Sequence, residues 1–214
     1  MRVETFLKRN YQLHHVIVIP HYDDEIIGCY QLFVDATLKS NEAGNDSSII
    51  VMPINCSEMG MEEYDLHRRQ ESLQITDHFR ATLLGKRVDN ISIRGPLSLS
   101  ALSLSPLKHI YANCAYDGKL NCIWFPDPLY EKHPEHILIG NFGPLMSSVA
   151  AQNNPASNNV LFGYYSINMQ APYVQPLSCK EADGKARVCE IFTSQAGYFS
   201  SHGEATRFEG RRLA

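Results

Sequence analysis

His15-Val16-Ile17-Val18-Ile19-Pro20 is a short run of mostly β-branched apolar residues, and the charged segment Pro20-His21-Tyr22-Asp23-Asp24-Glu25 follows it directly. A strand without polar alternation is typical of a parallel sheet that is covered on both faces. Residues Glu25 to Lys39 then carry apolar side chains at helical spacing, so this strand leads into a helix. The order of strand and helix predicts an α/β fold.

The same alternation of strand and helix continues along the chain. Gly95–Pro106 alternates Ser and Leu as a strand would, but its prolines argue against one, so it is not assigned. No repeat or linker interrupts the pattern, and we expect residues 1–214 to form a single domain, a three-layer α/β/α sandwich with a mostly parallel, Rossmann-like sheet. The further predicted strands are Ser48–Ile54, Val88–Ile93, Asn121–Phe125 and Asn159–Tyr165, and the further helices are Met61–Leu84, Pro134–Ala151 and Lys180–Gly197.

Composition and charge exclude several classes of function. The chain has 19 Lys and Arg against 23 Asp and Glu, and its basic runs do not exceed pairs, which argues against nucleic-acid binding. Its apolar runs are too short for a signal peptide or a membrane span, so we expect a cytoplasmic protein without a membrane partner. The six cysteines form no C-x-x-C pair, which favours reduced, mostly buried thiols.

The residues directly after the first strand carry the first sign of chemistry. A helix N-terminus favours carboxylates, which alone would explain the acidic residues there. That effect does not require a histidine three residues before Asp24, and this spacing puts His21 and Asp24 on one side of a tight turn while Asp23 points elsewhere. The pattern indicates two metal ligands and one further carboxylate.

A second histidine-containing segment, His133-Pro134-Glu135-His136, follows the fourth predicted strand. Pro134 is suited to the first helical position, which makes His133 the N-cap and His136 a residue of the first turn. Because parallel strands end at one edge of the sheet, we expect His136 to join His21 and Asp24. Two histidines and one carboxylate with an open position bind zinc in hydrolases and also non-haem iron, so the residues alone leave Zn²⁺ and Fe²⁺ open.

At these residues the sequence resembles the PIG-L/LmbE-like family of zinc-dependent N-acetylglucosaminyl deacetylases. The family signature is P-H-x-D-D-E after the first strand and H-P-D-H late in the chain. Two weaker matches are Arg68-Arg69-Gln70-Glu71, which fits an R-x-x-E motif, and Thr193-Ser194-Gln195, which fits the S-Q that ends the last long helix. The resemblance extends from about His15 to Gln195.

The resemblance implies a hydrolase that removes acetyl from an N-acetylated amino sugar of the N-acetylglucosamine type, a small-molecule substrate. It implies zinc on the three ligands above, Asp23 as general base, and a protonated His133 beside the substrate carbonyl. Arg68 corresponds to an arginine that some members use to hold the sugar. A salt bridge from Arg68 to Glu71, one helical turn further on, is the structural alternative.

The chain also departs from the family pattern. Tyr22 replaces a common proline, and Glu135 replaces the usual aspartate. A tyrosine that some members place two residues before the histidine pair is Glu131 here, with Tyr130 one position off. These changes remove no predicted ligand, and two alternatives stay open: an amidase of another sugar-linked amide, and a degenerate, metal-free binding module.

Overall fold

A computed structural model describes residues 13–39, 48–55, 62–81, 91–93, 97–98, 120–145 and 160–214. Its strands are β1 (Leu13–Ile19), β2 (Ser48–Asn55), β3 (Ile91–Ile93), β4 (Leu97–Ser98), β5 (Leu120–Pro126), β6 (Val160–Ser166), β7 (Gln175–Pro176) and β8 (Phe208–Leu213). Its helices are α1 (Asp24–Lys39), α2 (Glu62–Ala81), α3 (Pro134–Gly140), α4 (Cys179–Cys189) and α5 (Ala196–Ser201). Residues 142–145 add a helical turn, and 3₁₀ turns cover Thr193–Gln195 and Gly203–Thr206.

The strands form one sheet in the order β3-β2-β1-β5-β6-β8-β7, with β4 also paired to β2. The pairs among β1 to β6 are parallel, whereas β8 is antiparallel to both β6 and β7. The chain winds outward from β1 to β2 and β3 and then returns to β5 on the other side of β1. This reversal is a topological switch point, and ligands bind such sheets at the carboxyl ends of the two strands that flank it.

Both faces of the sheet are buried, as the first strand predicts. Ile17 and Ile19 of β1 belong to a cluster that also takes side chains from α1, α2 and α4, namely Ile26, Phe33, Ile75, Phe79 and Val188. Val16 and Val18, the alternate residues of β1, belong to a second cluster that includes Ile139 of α3. Helices therefore cover the sheet on two sides, which confirms the predicted three-layer α/β/α class.

Helix α1 is kinked at Cys29, where φ is −136° and ψ is 19°. In an unbroken helix the Gln31 amide would donate to the Ile27 carbonyl. Here the Gln31 amide donates to both carboxylate oxygens of Glu209, each at 3.1 Å. The Ile27 carbonyl accepts from the Lys185 ammonium at 2.5 Å. Two side chains from distant elements thus replace the missing helical hydrogen bond and hold the bend.

We call the side chains of Lys185, Glu209 and Arg211 the kink clamp. Lys185 is fully buried and also donates to the Phe208 carbonyl at 2.8 Å, while Arg211 pairs with Glu209. Burial lowers the pKa of Lys185, and the negative charge of Glu209 opposes that shift. Burial raises the pKa of Glu209, and its two cationic neighbours oppose it. The clamp joins α1 to α4 and β8.

Several predicted boundaries differ from the structure. The predicted helix Lys180–Gly197 is broken, because α4 ends at Cys189 and a 3₁₀ turn precedes α5. Asn141 caps α3 after Gly140, so this helix is shorter than predicted, and residues 146–151 of that prediction lie outside the described residues. So do residues 88–90 of the third predicted strand and most of the unassigned Gly95–Pro106 segment. Strand β8 was not predicted, since two of its alternate residues are the buried but charged Glu209 and Arg211.

Three of the cysteines in the described residues are buried, Cys29, Cys122 and Cys189, and Cys179 is exposed. These positions agree with the predicted core role of most cysteines. Among the helices that the structure describes, none combines the length and apolar character needed to cross a membrane.

Candidate metal centre

The turn between β1 and α1 brings His21 and Asp24 together. The backbone amide of His21 donates to Asp24 Oδ2 at 3.0 Å, and the amide of Asp24 donates back to the His21 carbonyl at 3.4 Å. These two bonds close a tight turn at the carboxyl end of β1. The Asp24 carboxylate is therefore folded back toward the His21 side chain, as the spacing predicts.

The start of α3 supplies the second pair of histidines. His133 has extended backbone angles, accepts from the Glu135 amide and is the N-cap, and Pro134 stands at the first helical position. His136 lies in the first turn and is only 2% exposed. The capping arrangement predicted from Pro134 is confirmed, and it sets His136 at the carboxyl end of β5, beside the end of β1.

Three donor atoms converge between these two strand ends. His21 Nδ1 and His136 Nε2 are 3.2 Å apart, Asp24 Oδ2 is 3.3 Å from His136 Nε2, and it is 3.4 Å from His21 Nδ1. Ligands at 2.0–2.1 Å from a tetrahedral zinc ion are separated by about 3.3 Å from one another. The three distances match one face of such a tetrahedron, so this donor set fits a zinc ion.

His133 offers a different third ligand. Ring nitrogens of His21, His133 and His136 lie within 4.8 Å of one another, which makes a three-histidine group. The His133 side chain is 52% exposed, and its ring stands edge-on to His21 with the centroids 4.8 Å apart. Because the Asp24 set has the shorter separations and the deeper burial, we favour His21, Asp24 and His136 as ligands and place His133 at the mouth of the site.

Carboxylates also contact the outward nitrogens of both candidate ligands. Glu135 Oε2 is 2.5 Å from His21 Nε2, and Glu131 Oε2 is 3.3 Å from His136 Nδ1. Metal-binding histidines commonly pair their second nitrogen with a carboxylate, which fixes the tautomer and the ring orientation. Neither contact was predicted. In the sequence, Glu135 and Glu131 stood out only as departures from the family pattern.

The charges of the site are strongly coupled. Burial alone would raise the pKa of Asp24, but His136 and His21 outweigh it and hold that pKa well below its usual range. Burial would lower the pKa of His136, but Asp24 and then Glu131 raise it to about 10. The pKa of His21 is also raised, since Asp24 and Glu135 outweigh its burial. Without a cation, protons on the histidines balance the carboxylates.

Asp23 has a positive φ of 137°, which is unusual for any residue other than glycine and costs about 1–3 kcal/mol. Its amide donates to Glu25 Oε2 at 2.8 Å, and the other oxygen of Glu25 accepts from Ser72. Burial raises the pKa of Asp23 to about 8, Asp24 adds to the rise, and Arg68 opposes it. A strained, buried carboxylate that titrates near neutral pH suits a general base.

Arg68 pairs with Asp23, a contact that was not considered from the sequence alone. Its guanidinium lies 2.5 Å from Asp23 Oδ1, at the wall of the pocket. Glu71, the alternative partner, accepts from Thr193 Oγ1 and from the amide and hydroxyl of Ser194, so it anchors the segment after α4 to α2. Contact of Arg68 with substrate stays a prediction, and its contact with Asp23 gives it a further role.

The surroundings of His133 disfavour the charged state that the resemblance implies. Burial lowers its pKa, and the positive charges of His21 and His136 lower it further. Its Nδ1 accepts from the Glu135 amide at 3.4 Å, so the remaining proton of the neutral ring lies on Nε2. The surroundings of His133 therefore favour the neutral imidazole, which still carries one N–H donor.

All six predicted site residues line one cavity of about 600 Å³, a volume typical of small-molecule sites. Its floor is formed by the candidate ligands and Asp23, and its wall by Arg68 and His133. Further polar and aromatic residues complete the rim, and sequence reasoning gave no role to most of them. They are Lys132, Asn168, Gln195 and Tyr198, whereas Glu131 also lines the cavity but is buried.

Comparison with known proteins gives likeness in structure alone. The chain matches no protein-family model and no curated protein sequence. It is similar to the N,N'-diacetylchitobiose deacetylase from Pyrococcus horikoshii, solved with its inhibitor MPG, with a TM-score of 0.63, 16% identity, and coverage of 97% of this chain and 85% of that one. It is also similar to the conserved protein TT1542 from Thermus thermophilus, with a TM-score of 0.54, 14% identity, and coverage of 94% and 93%. At these identities the two comparisons establish a shared α/β/α fold over nearly the whole chain.

Proposed function

We propose that this protein is a zinc-dependent hydrolase of the PIG-L/LmbE-like kind that removes the acetyl group from an N-acetylated amino sugar. The observation that carries the proposal is the convergence of His21 Nδ1, Asp24 Oδ2 and His136 Nε2 at 3.2–3.4 Å on the floor of the cavity. The likeness to a chitobiose deacetylase supports a sugar substrate. We expect the enzyme to act in the cytoplasm on a small molecule.

The chain's own residues divide the remaining tasks. Zinc held by the three ligands would supply an acidified water and polarise the amide carbonyl. Asp23, which lines the cavity beside the candidate ligands, would accept a proton from the attacking water and return it to the departing amine. Arg68 holds Asp23 Oδ1 at 2.5 Å, and Glu25 holds its amide, so the base is fixed before substrate arrives.

His133 stabilises negative charge on the substrate oxygen as a neutral hydrogen-bond donor. Its Nδ1 faces the Glu135 amide, which leaves Nε2–H as the donor. A neutral donor aimed at developing charge is sufficient for this role and does not require the imidazolium form. The proposal thus uses a neutral His133 where the family resemblance implies a protonated one.

The rim of the cavity would recognise the sugar. Lys132, Asn168 and Gln195 provide polar groups, and Tyr198 provides an aromatic face. Such a combination suits a ring with several hydroxyl groups. An amidase of another sugar-linked amide would use the same floor with a different acyl or sugar group, and a metal-free binding module would use the rim alone.

Metal analysis followed by an amine-release assay tests the proposal. Purified protein should contain about one equivalent of zinc or iron, and should release amine from N,N'-diacetylchitobiose or N-acetylglucosamine. A chelator should remove activity, zinc should restore it, and His136→Ala should show neither metal nor activity. Amine release only from amides other than acetyl would favour the amidase, whereas sugar binding without metal or hydrolysis would favour the binding module.

A further inference from the structure

We infer that Glu131 is a positioning residue that holds His136 in its metal-binding orientation and sets the tightness of metal binding. The inference rests on the proposed metal centre and adds to it a residue outside the ligand set. Glu131 lies in the loop between β5 and α3, five residues before His136, and its side chain is 2% exposed. A carboxylate this deeply buried needs partners on every side.

Both oxygens of Glu131 are engaged. Oε1 accepts from the Ser166 hydroxyl at 2.6 Å and from the Ile167 amide at 3.0 Å. Oε2 lies 3.3 Å from His136 Nδ1. Since Ser166 ends β6, the Glu131 carboxylate is anchored to that strand. Its other oxygen faces the ring of His136, which belongs to α3. The contacts with Ser166 and Ile167 therefore fix the orientation of the Glu131 carboxylate independently of His136.

This contact decides which nitrogen of His136 faces the other ligands. Nε2 is the inward atom, 3.3 Å from Asp24 Oδ2, and Nδ1 is the outward atom beside Glu131. The contact is an ion pair at 3.3 Å and not an aligned hydrogen bond, but a carboxylate beside Nδ1 favours a proton on that nitrogen and leaves the Nε2 lone pair directed inward. Outer contacts of this kind are commonly worth 10–100-fold in metal affinity.

Glu131 also lines the cavity, so a direct catalytic role is the competing interpretation. A catalytic Glu131 would have to exchange protons with substrate through Oε1 while it accepts from Ser166 and Ile167, or through Oε2 while it faces His136 Nδ1. A positioning role predicts a loss of metal affinity, whereas a catalytic role predicts a loss of kcat in protein that still binds metal tightly. The two interpretations are therefore separated by measuring affinity directly.

Glu131→Gln is the test, with Asp127→Asn as its matched control. Asp127 lies four residues earlier, is also fully buried, and accepts from Arg212 Nε at 2.6 Å and from the Tyr173 hydroxyl at 2.7 Å. It does not contribute to the cavity wall. In both variants a buried carboxylate becomes an amide of nearly equal size, but only Glu131 contacts a candidate ligand.

Zinc affinity is measured by competition with a chromophoric chelator, on folded protein, beside the visible spectrum of the cobalt form. We expect Glu131→Gln to weaken zinc affinity on the order of 10–100-fold and to change the cobalt spectrum. We expect Asp127→Asn to lower Tm while zinc affinity stays within about twofold and the cobalt spectrum is unchanged.

The outcomes separate this inference from the proposed function. A wild-type protein that binds no zinc overturns the metal centre itself. Tight binding by wild type and by Glu131→Gln, together with loss in His136→Ala, leaves the metal centre intact and overturns the inference. If Glu131→Gln does not fold, Ser166→Ala replaces it, and an affinity equal to that of wild type then overturns the positioning role.

Discussion

Two buried polar clusters contact helix α1 a few residues apart, and their chemistry differs. In the kink clamp every group meets its opposite: the Lys185 ammonium meets two carbonyls, and the Glu209 carboxylate meets the Gln31 amide and the Arg211 guanidinium. At the N-terminus of the same helix, three atoms of the kind that bind metals lie 3.2–3.4 Å from one another. They are His21 Nδ1, Asp24 Oδ2 and His136 Nε2. The first cluster balances itself, and the second requires a proton or a cation.

This difference separates structural polar groups from functional ones. Burial alone does not do so, since Lys185 and Asp24 are both almost inaccessible. A buried charge with complete partners holds elements together. Acceptors directed at a common point are costly to the fold unless a cation binds there, and clusters of this kind mark candidate sites. The predictions below alter one cluster and use the other as its control.

Removal of a ligand should have the largest effect. His136→Ala, His21→Ala and Asp24→Ala should each abolish stoichiometric zinc, because two ligands provide neither the charge nor the geometry of the site. Amine release should fall with the metal. Elemental analysis of protein passed through a desalting column gives the measurement. Stoichiometric zinc in two of these three variants would show that the ligand set is wrong.

Breaking the kink clamp should affect stability instead. Lys185→Met leaves Glu209 and the Ile27 carbonyl without their buried cation, which should cost about 3–5 kcal/mol of the free energy of unfolding. Lys180→Met, an exposed position on α4, is the control and should change little. Urea unfolding gives the free energies. Folded Lys185→Met should keep its zinc, and a loss of zinc at unchanged stability would contradict the separation of the two clusters.

The two clusters also differ in how far the sequence predicts them. The convergence of His21, Asp24 and His136 could be predicted because each follows a strand and because turn and capping rules act within three or four residues. The kink clamp joins residues more than 150 positions apart, and Glu209 resembles a solvent-exposed strand residue in the sequence. Strand β8 was missed for that reason.

Within the candidate site, the same limit applies to the outer contacts. Glu131 binds Ser166 and Ile167 across the sheet, and the pairing of Arg68 with Asp23 joins α2 to the turn after β1. Turn and capping patterns predict which residues start a helix, but they do not predict which side chain from a distant part of the chain contacts those residues. The convergence of the candidate ligands could therefore be predicted from the sequence, and the residues that contact them from other elements could not.

Asp23→Asn and His133→Ala should lower activity without removing metal. Each variant should lose on the order of a hundredfold in kcat, the usual value of one positioned base or oxyanion donor. Zinc content should stay close to that of wild type, in contrast to the ligand variants. Near-normal kcat in zinc-loaded His133→Ala would remove its assigned role and direct attention to Tyr130 or Lys132.

Metal-free protein should lose stability as pH rises from about 6.5 to about 8. Raised folded-state pKa values stabilise the fold below the unfolded-state pKa, and this stability is lost as pH rises through the folded-state pKa. Three groups have a raised folded-state pKa and so destabilise the fold as pH rises: Asp23 (pKa about 8), Glu25 (about 7) and His136 (about 10). The pKa of His133 is lowered, so its contribution to stability changes with pH in the opposite direction, but only below its unfolded-state pKa of about 6.5.

We expect Tm in chelator to fall by roughly 5 °C or more over this interval. Zinc should reverse the trend, because metal binding displaces the protons and strengthens with pH. Lys185→Met should lower Tm throughout this interval, while Asp23→Asn should flatten the slope. A metal-free Tm that is constant or rises between these pH values would show that the acceptors at the N-terminus of α1 are not coupled as described.

The smallest expected effect concerns Arg68, where two roles predict different kinetics. If Arg68 binds the sugar, Arg68→Ala should raise KM by about tenfold and leave kcat and its pH profile unchanged. If it acts through Asp23, loss of the guanidinium 2.5 Å from Oδ1 should raise the pKa of that carboxylate, so the acidic limb of the kcat profile should move to higher pH. Arg69→Ala removes the same charge one position away and should change neither parameter.

We expect the shift in pH profile, with zinc content unchanged, because Arg68 already pairs with Asp23 before any substrate is bound. A rise in KM with an unmoved acidic limb would instead assign Arg68 to the sugar and leave Asp23 oriented by Glu25 alone.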